Sequence, residues 1–419
     1  MKKILVWLLM LAMCLTVCAE EIPLAEKVLE CFMGGEYAAI SEMLSDEVRA
    51  AVSAEALEAA WQGQLALLGQ LQTAQFAEQQ GYSVALLTHE NGKQQLIVGL
   101  NESGEISTLL LQPVAEAPQA SERALPEGVE AYNVKLFEGT EKALNAQIVA
   151  PVNGTVFAVL VHGSGPSDMD ETVGGCKPFR DLAYDLAAQG VGSIRFDKMT
   201  YAHPELGAET VEDEYLTSAK EALRVLKAET AAERVIVIGH SQGGMLMPWL
   251  AAECGFDGGV ALAGTPKQLW EISWQQNLAI LETLTGEQRA AAQAQIEAER
   301  QRAENLNALD DGETVFGLPV KYLKHMAQLD QIELAKASDV PMLFMWGDAD
   351  FQVSRSDFEA WKICLGEDER FEYIEYASLN HLFMQAQEGD SAANASAVYA
   401  RGGQMDSRVA ADSAAWLAD

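Results

Sequence analysis

Basic residues are scarce in this 419-residue sequence, which holds 28 Lys and Arg against 62 Asp and Glu and has a formal net charge of −34. A chain this acidic repels polyanions, so the composition argues against binding to nucleic acid or to anionic lipid. Disorder is excluded as well, because 49% of the residues are hydrophobic and that fraction is ample for a sizeable core. The acidic charge is therefore interpreted as a means of keeping a folded protein soluble.

Cysteine is also rare, with six residues in the whole sequence. Two of them lie near the N-terminus, and the other four are Cys31, Cys176, Cys254 and Cys364. None of these four belongs to a Cys-x-x-Cys pair, so the spacing predicts no metal site. Four cysteines permit three disulfide pairings, among which the sequence does not choose. Since a chain of this length folds without disulfides, we expect buried free thiols.

Long apolar runs are absent except at the N-terminus, where Lys2 and Lys3 precede the run Ile4–Val17. The run is too short for a comfortable membrane span, and small residues around Ala19 suit a cleavage site. Residues 1–19 are therefore predicted to be a signal peptide, so that the mature protein is secreted and has no stable membrane insertion.

A lipid anchor on the cell surface is the alternative for this segment, because Cys14 and Cys18 lie within it. Met13 and Val17 precede these cysteines, whereas a lipidation signal normally has Gly, Ala or Ser there. The pattern therefore favours secretion over anchoring.

Residues 20–115 are predicted to form a small α+β domain. Apolar residues recur at helical spacing at the start of this region, and a further helix is predicted across Ala54 to Leu71. The residues that follow alternate between apolar and polar, as in strands. Turns at 80–81, 91–92 and 103–104 separate the strand-like runs, and the Asn-Gly pair at 91–92 is a strong hairpin signal. No concentration of catalytic residue types occurs here, so we assign this domain a packing or binding role. A Pro/Ala/Glu-rich linker follows at 116–128.

Residues 129–419 are predicted to form the catalytic domain. Buried strands such as Val156–Val161 and Val191–Phe196 alternate with amphipathic helices, which predicts an α/β fold with a mostly parallel sheet and helices on both faces. The alternation stops at 266–338, where the sequence is helical and partly very polar, and resumes at Met342–Trp346. We expect this insertion, called the cap below, to cover the active site.

The motif that carries chemistry is Gly239–Gly243, with the sequence Gly-His-Ser-Gln-Gly, between the predicted strand Val235–Ile238 and a predicted helix. In that context a G-x-S-x-G motif predicts a nucleophile elbow and an α/β-hydrolase fold. The glycines are needed because the sharp turn leaves no room for side chains. Ser241 is therefore the predicted nucleophile, and the N–H of Gln242 is one predicted oxyanion-hole donor.

A serine nucleophile needs a histidine base and an acid that orients it, and in this fold both follow the serine in the chain. Only His325 and His381 follow Ser241. His325 lies inside the cap, whereas His381 comes just after a predicted strand, which makes His381 the predicted base. Asp348 and Asp350 both follow the strand Met342–Trp346 and stay equivalent on position alone, with Asp357 a distant third.

The second oxyanion-hole donor is expected in the loop after an early strand. His162–Pro166, with the sequence His-Gly-Ser-Gly-Pro, follows the strand Val156–Val161. The N–H of Ser164 is the predicted donor, with that of Gly163 as the alternative. His162 is expected to hold the loop, and the acidic run 168–171 to order it rather than to bind substrate.

Several stretches of the sequence together resemble a family of bacterial esterases of the EstD-like carboxylesterase type. They are 162–172, 177–179, 195–198, 239–244 and 347–353. The resemblance implies Ser241 as nucleophile, Asp350 as acid and His381 as base, with Asp350 at the last position of the family's Gly-x-x-Asp turn. It also implies hydrolysis of short-chain carboxylic esters without a cofactor, and an N-terminal α+β domain ahead of the hydrolase. Cys176 and Met199 depart from the family pattern, where Asn and Arg are usual.

The sequence thus predicts a secreted serine carboxylesterase that acts on small-molecule esters. A serine peptidase or amidase on the same three residues is one alternative, because fold and triad do not distinguish an ester from an amide. A binding protein with a vestigial hydrolase domain is the other. The oligomeric state has no signature in the sequence.

Overall fold

A computed structural model describes residues 23–79, 82–101, 103–114, 122–204, 206, 210–282 and 285–418. The predicted signal peptide and the first part of the predicted linker lie outside the described residues. Contacts divide the chain into two compact units, the first ending at Glu116 and the second beginning at Ala117.

The first unit consists of helices followed by an antiparallel sheet. Its helices in the described part are α1 (Leu24–Gly34), α2 (Tyr37–Met43), α3 (Asp46–Ala51) and α4 (Ala54–Leu68). Its strands, which pair in sequence order, are β1 (Leu71–Gln79), β2 (Tyr82–His89), β3 (Gly92–Leu100) and β4 (Ile106–Val114). The apolar stripe of α1 packs on alternate residues of the sheet, which gives this unit its own core around Phe32, Trp61 and Leu96.

The second unit is built on an eight-stranded sheet with the order β14-β13-β10-β9-β7-β8-β6-β5. Its strands are β5 (Val129–Leu136), β6 (Leu144–Pro151), β7 (Val156–Val161), β8 (Gly192–Phe196), β9 (Arg234–His240), β10 (Gly259–Leu262), β13 (Met342–Gly347) and β14 (Phe371–Tyr376). The pairings from β8 through β14 are parallel, while β5 and β6 add an antiparallel edge. A two-residue hairpin, β11 (Thr314–Val315) and β12 (Leu318–Pro319), lies apart from this sheet.

The second unit also contains α-helices, several of which cover the two faces of the large sheet. They are, over the described residues, α5 (Pro178–Ala188), α6 (Met199–Ala202), α7 (Thr217–Glu229), α8 (Gln242–Cys254), α9 (Leu269–Leu281), α10 (Gly286–Glu304), α11 (Val320–Met326), α12 (Gln331–Ala337), α13 (Arg355–Leu365), α14 (Ala395–Ala400) and α15 (Ser407–Ala418). Along β7, Val159 packs with α7 and α8, whereas Leu160 packs with α5 and α15. This alternation buries both faces, as a parallel sheet requires.

The predicted α/β architecture is therefore confirmed, and so is the helical insertion, which contains α9 to α12. Four strands were missed by the sequence analysis, including the two-residue strands β11 and β12 in a stretch predicted to be helical. β1 is rich in Gln and other polar residues, so its sequence has no clear apolar alternation. β10 has four residues, Gly-Val-Ala-Leu, too few for a periodicity.

The four cysteines among the described residues are free. Cys176 is buried, Cys31 and Cys254 are partly buried, and Cys364 is exposed, so the expectation of burial was wrong for Cys364. No helix in the described ranges has the length and apolar character needed to cross a membrane.

Candidate active site

Ser241 lies at a strained turn between β9 and α8. Its φ of 52° and ψ of −113° fall in a region that non-glycine residues rarely adopt. β9 ends at His240 and α8 begins at Gln242, so the serine stands alone at the carboxyl edge of the sheet. In open parallel sheets this edge is where ligands bind.

Glycines make the turn sterically feasible. A Cβ added to Gly239 would lie 2.1 Å from the carbonyl oxygen of Gly243, and one added to Gly243 would lie 2.3 Å from that of Val161. These contacts are with backbone atoms, which do not move aside as a flexible side chain does. The predicted requirement for glycine on both sides of Ser241 therefore has a physical cause in the close approach of β7, β9 and α8.

His381 and Asp350 meet at the same edge. Asp350 follows β13, His381 lies in the loop after β14, and His381 Nδ1 is 2.7 Å from Asp350 Oδ2. The other carboxylate oxygen of Asp350 accepts the N–H groups of Gln352 and Val353. Both side chains are buried. An acid held in this way can fix the ring orientation and stabilise a positive charge on the imidazole.

The competing residues have other partners. Asp348 is exposed and accepts the backbone N–H of Ser378 at 2.5 Å. Asp357 is buried, forms an ion pair with Lys267, and closes the capping box at the start of α13. His325 lies on α11 in the cap. The structure therefore separates Asp350 from Asp348, which position in the sequence did not.

A buried pair that the sequence analysis missed ties the loops of the site together. Glu171 Oε1 accepts the N–H of Gly163 at 2.6 Å and lies 3.0 Å from His240 Nδ1. His240 Nε2 in turn lies 2.9 Å from the carbonyl oxygen of His381. His240 Nε2 can donate to the His381 carbonyl oxygen, while Nδ1 contacts the Glu171 carboxylate at ion-pair distance, which favours a proton on that nitrogen. The loop after β7, the turn at Ser241 and the loop that carries His381 are thus all contacted by one charged pair.

The charge states of this pair follow from its burial and its mutual contact. Burial by itself would raise the pKa of Glu171, but the adjacent His240 outweighs it and lowers that pKa. For His240, burial would lower the pKa, and the Glu171 carboxylate outweighs burial and raises it. The Asp350 carboxylate adds to the rise for His240, and His162 adds to the fall for Glu171.

The loop predicted to supply an oxyanion-hole donor lies beside the serine. A Cβ on Gly163 would lie 3.1 Å from Ser241 Cβ, and Ser164 and Gln242 border the same cavity as Ser241. Gln242 is the first residue of α8, so its N–H has no partner within the helix. His162 is confirmed as a loop-holding residue, since its Nε2 lies 2.9 Å from the carbonyl oxygen of Asp168.

The cavity above Ser241 has a volume of about 120 Å³. Its walls come from the cap as well as from the sheet edge. The lining residues from the cap are Leu269, Ile272, Ser273, Gln276 and Leu318. Those from the rest of the unit are Ser164, Ser241, Gln242, Met245, Thr265, Gln352 and Val353. The cap therefore forms part of the wall of the cavity that Ser241 lines.

The acidic run 168–171 is used by the protein itself. Asp168 accepts the N–H and hydroxyl of Thr172, and Asp170 pairs with Arg195 and Lys177. Glu171 holds His240, as described above. Over the described residues, no group of three or more His, Cys, Asp or Glu side chains is arranged to hold a metal ion.

Comparison with known proteins gives both a family and a relative. Residues 158–396 match the model of the alpha/beta hydrolase family. The chain is 31% identical over 388 residues to esterase EstD of Thermotoga maritima, and the match covers 90% of each chain.

Comparison with solved structures gives matches of low sequence identity. An esterase of Pyrococcus furiosus has 13% identity and a TM-score of 0.41, with 64% of this chain and 89% of that chain covered. Est1E of Butyrivibrio proteoclasticus has 16% identity and a TM-score of 0.43, with coverage of 64% and 96%.

The pair Glu171–His240 predicts a specific dependence of stability on pH. A raised pKa means that His240 contributes fully below its ordinary value of 6.5 and that this contribution is lost as the pH rises through the folded-state value. A lowered pKa means that Glu171 contributes fully above 4.5 and loses its contribution as the pH falls through the folded-state value. The pair therefore stabilises the fold most between about pH 4.5 and 6.5.

We expect Glu171→Gln to lower the free energy of unfolding at pH 6 by about 3 kcal/mol, since it leaves one buried charge without its partner. The wild type should become less stable between pH 6 and 9 as His240 loses its proton, and the variant should not show this decrease. Urea unfolding at both pH values measures this, with the exposed Glu372→Gln as control. Equal pH dependence in Glu171→Gln and wild type would contradict the role assigned to the pair.

Proposed function

This chain belongs to the alpha/beta hydrolase family, and we propose that it is a secreted serine esterase that hydrolyses short-chain carboxylic esters through Ser241, His381 and Asp350. The relationship to an esterase over 90% of the chain supports ester hydrolysis. The observation that carries the assignment of residues is the 2.7 Å contact between His381 Nδ1 and Asp350 Oδ2 at the sheet edge that presents Ser241.

The proposed reaction begins with attack of Ser241 Oγ on the ester carbonyl carbon, while His381 Nε2 takes the hydroxyl proton. Asp350 holds the imidazole through Nδ1 and stabilises its positive charge. The resulting tetrahedral oxyanion is stabilised by the N–H groups of Gln242 and Ser164. His381 then returns the proton to the leaving alcohol oxygen as the ester C–O bond breaks, which leaves an acyl group on Ser241.

A water molecule completes the cycle. It attacks the acyl carbon while His381 takes one of its protons, and a second oxyanion forms in the same place. Collapse of this intermediate returns the proton to Ser241 Oγ and releases the carboxylic acid. No cofactor enters either half of this reaction, because serine and histidine supply the nucleophile and the proton transfers.

An ester is favoured over an aminoacyl amide by the use of the acidic run. An enzyme that recognises a free substrate amine needs a carboxylate available to it. The Asp168 carboxylate accepts a hydrogen bond from Thr172. Asp170 forms ion pairs with Arg195 and Lys177. Glu171 accepts the N–H of Gly163 and pairs with His240. Because of these contacts, the three carboxylates order the loop and are not available to a substrate amine.

A short acyl chain is favoured by the size of the cavity. The volume of about 120 Å³ is small beside the roughly 300–1,000 Å³ of pockets that hold drug-sized ligands. Leu269, Ile272 and Leu318 of the cap give this space an apolar lining, which suits the hydrocarbon part of an acetyl to butyryl ester.

The first prediction concerns the nucleophile. Ser241→Ala is expected to lower kcat for p-nitrophenyl butyrate by at least about 10⁴-fold, because no acyl-enzyme can form. Ser356→Ala, at an exposed serine on α13, is the control and should turn over the ester normally. A fluorophosphonate should label wild type on the peptide that contains Ser241. Full turnover by Ser241→Ala, or no turnover of any ester by wild type, would overturn the proposal.

The second prediction concerns the acyl chain. Ile272→Ala removes three carbon atoms from the cavity wall, so we expect the highest kcat/KM to move from acyl chains of about four carbons to chains of about six. A series of p-nitrophenyl esters of increasing acyl length measures the change. Ile363→Ala makes the same substitution at a side chain that is 79% exposed and should leave the profile unchanged. If Ile272→Ala keeps the wild-type dependence on acyl length, the acyl chain does not bind in this cavity.

The third prediction concerns export. The basic residues and apolar run of residues 1–19 support removal of this segment. Expression of the full chain in a bacterial host should therefore yield an extracytoplasmic protein whose measured mass is that of a chain beginning at Glu20. A mature protein that begins at a lipid-modified Cys18 would favour the anchored form instead, and an uncleaved chain in the cytoplasm would contradict export.

A further inference from the structure

Lys198 is a buried cation next to the oxyanion loop. It follows β8 through Asp197, and its side chain is 2% exposed. Its Nζ lies 2.8 Å from the carbonyl oxygen of Gly163 and 2.9 Å from that of Gly165. The same Nζ is 2.9 Å from Glu214 Oε1. The ammonium group is thus enclosed by two carbonyls of one loop and by a buried carboxylate.

This arrangement is costly for the fold. Taking an ammonium group and a carboxylate out of water carries a desolvation penalty that their attraction repays only in good geometry. Burial lowers the pKa of Lys198, and the Glu214 carboxylate opposes that fall. A methionine would fill the same space without any charge to desolvate. The placement of a lysine here therefore calls for an explanation other than packing.

Tyr215 reinforces the contact with the loop. Its hydroxyl lies 2.8 Å from the carbonyl oxygen of Gly163 and accepts from Lys198 Nζ at 2.8 Å. Nζ also lies 4.3 Å from the centre of the Tyr215 ring, within the range of a cation–π interaction. The Gly163 carbonyl therefore accepts from Lys198 and also from the Tyr215 hydroxyl, whose single proton it shares with the more distant Gln242 Oε1 at 3.1 Å.

The direction of that carbonyl fixes the direction of the next N–H. In a trans peptide unit the C=O of Gly163 and the N–H of Ser164 point to opposite sides. Lys198 and Tyr215 hold the Gly163 carbonyl on one side of the peptide, so the Ser164 N–H points to the opposite side. Ser164 lines the same cavity as Ser241. Gly163 has no Cβ to resist rotation of this peptide, so the loop itself provides little restraint.

We propose that Lys198, together with Tyr215, is a positioning residue for ester hydrolysis: it holds the Gly163–Ser164 peptide so that the Ser164 N–H faces the developing oxyanion. The inference rests on the proposed function, since it assigns Lys198 a part in the same reaction. Lys198 touches neither the substrate nor Ser241 in this role and acts through the peptide alone.

The same network also reaches the second donor residue. Gln242 Oε1 lies 3.1 Å from the Tyr215 hydroxyl, and Gln242 Nε2 donates to the hydroxyl of Tyr322 at 2.8 Å. Tyr322, on α11 of the cap, donates to Glu214 Oε2 at 2.5 Å. One set of buried groups therefore joins the residues of both oxyanion donors to the carboxylate that pairs with Lys198.

The test compares two variants of this network with a matched control. Lys198→Met removes the ammonium group, and Tyr215→Phe removes one hydroxyl while keeping the ring. Tyr376→Phe also removes a buried hydroxyl, one bonded to Asp412 in the core on the other face of the sheet. Each protein is assayed for kcat and KM with p-nitrophenyl butyrate, and for inhibition by propyl trifluoromethyl ketone.

The ketone reports on the oxyanion site directly. Addition of Ser241 Oγ to its carbonyl carbon, with transfer of the hydroxyl proton to His381, gives a tetrahedral adduct whose oxygen anion needs the same two donors. We expect kcat to fall about 100-fold in Lys198→Met and about 10-fold in Tyr215→Phe. The Ki of the ketone should rise by the same factors while KM changes less than about threefold.

The outcomes are distinct. Tyr376→Phe should match wild type in kcat and Ki. Because Lys198→Met leaves Glu214 without its cation, the double variant Lys198→Met/Glu214→Gln is measured too, and it should retain the kcat loss with a wild-type-like thermal midpoint. Unchanged Ki in Lys198→Met and Tyr215→Phe would overturn the inference even where kcat falls. A wild type without Ser241-dependent ester turnover would overturn the proposed function itself.

Discussion

Close approach of backbone to backbone at the carboxyl edge of the sheet is the constraint on which the rest of the second unit depends. β9 must turn directly into α8, and α8 must lie against the end of β7. A single added carbon at Gly239 or Gly243 would collide with carbonyl oxygens. Because glycine has no side chain at these two positions, the surrounding structure can hold Ser241 in a conformation with positive φ.

Buried charge surrounds this turn and gives the loops a fixed arrangement. Glu171 and His240 connect the loop after β7 to the loop that carries His381. Lys198, paired with Glu214, also contacts the loop after β7. Such pairs add little net stability compared with apolar packing. Their value is directional, because each charge has oxygen or nitrogen partners at defined positions. Loops that carry catalytic groups are otherwise among the more mobile parts of a domain.

The sequence was sufficient to predict the α/β fold, the cap, and the placement of Ser241 and His381 at one edge of the sheet. These follow from local patterns, namely apolar periodicity, glycine spacing and the order of residues along the chain. The choice of Asp350 over Asp348 needed a family resemblance, because both follow the same strand. In the structure Asp350 contacts His381 Nδ1, whereas Asp348 accepts the N–H of Ser378.

The supporting network was not predictable in the same way. Tyr322 lies 80 positions from its partner Gln242, and Lys198 lies 35 positions from Gly163. Neither residue differs locally from an ordinary surface lysine or core tyrosine. Pairing between distant polar groups depends on how loops return to the sheet, which periodicity does not encode. His240 belongs to the motif Gly239–Gly243, but nothing in the sequence distinguishes its partner Glu171 from the other acidic residues of the run 168–171.

The origin of the cavity walls has an evolutionary consequence. Ser241, Asp350 and His381 are set by the sheet and its edge loops, whereas Leu269, Ile272 and Leu318 belong to the cap. Under the proposed function, substitutions in α9 alter which molecules fit while Ser241, Asp350 and His381 keep their places. Substrate range is then open to change within one helix of the cap, and the sheet edge sets the chemistry that each new substrate meets.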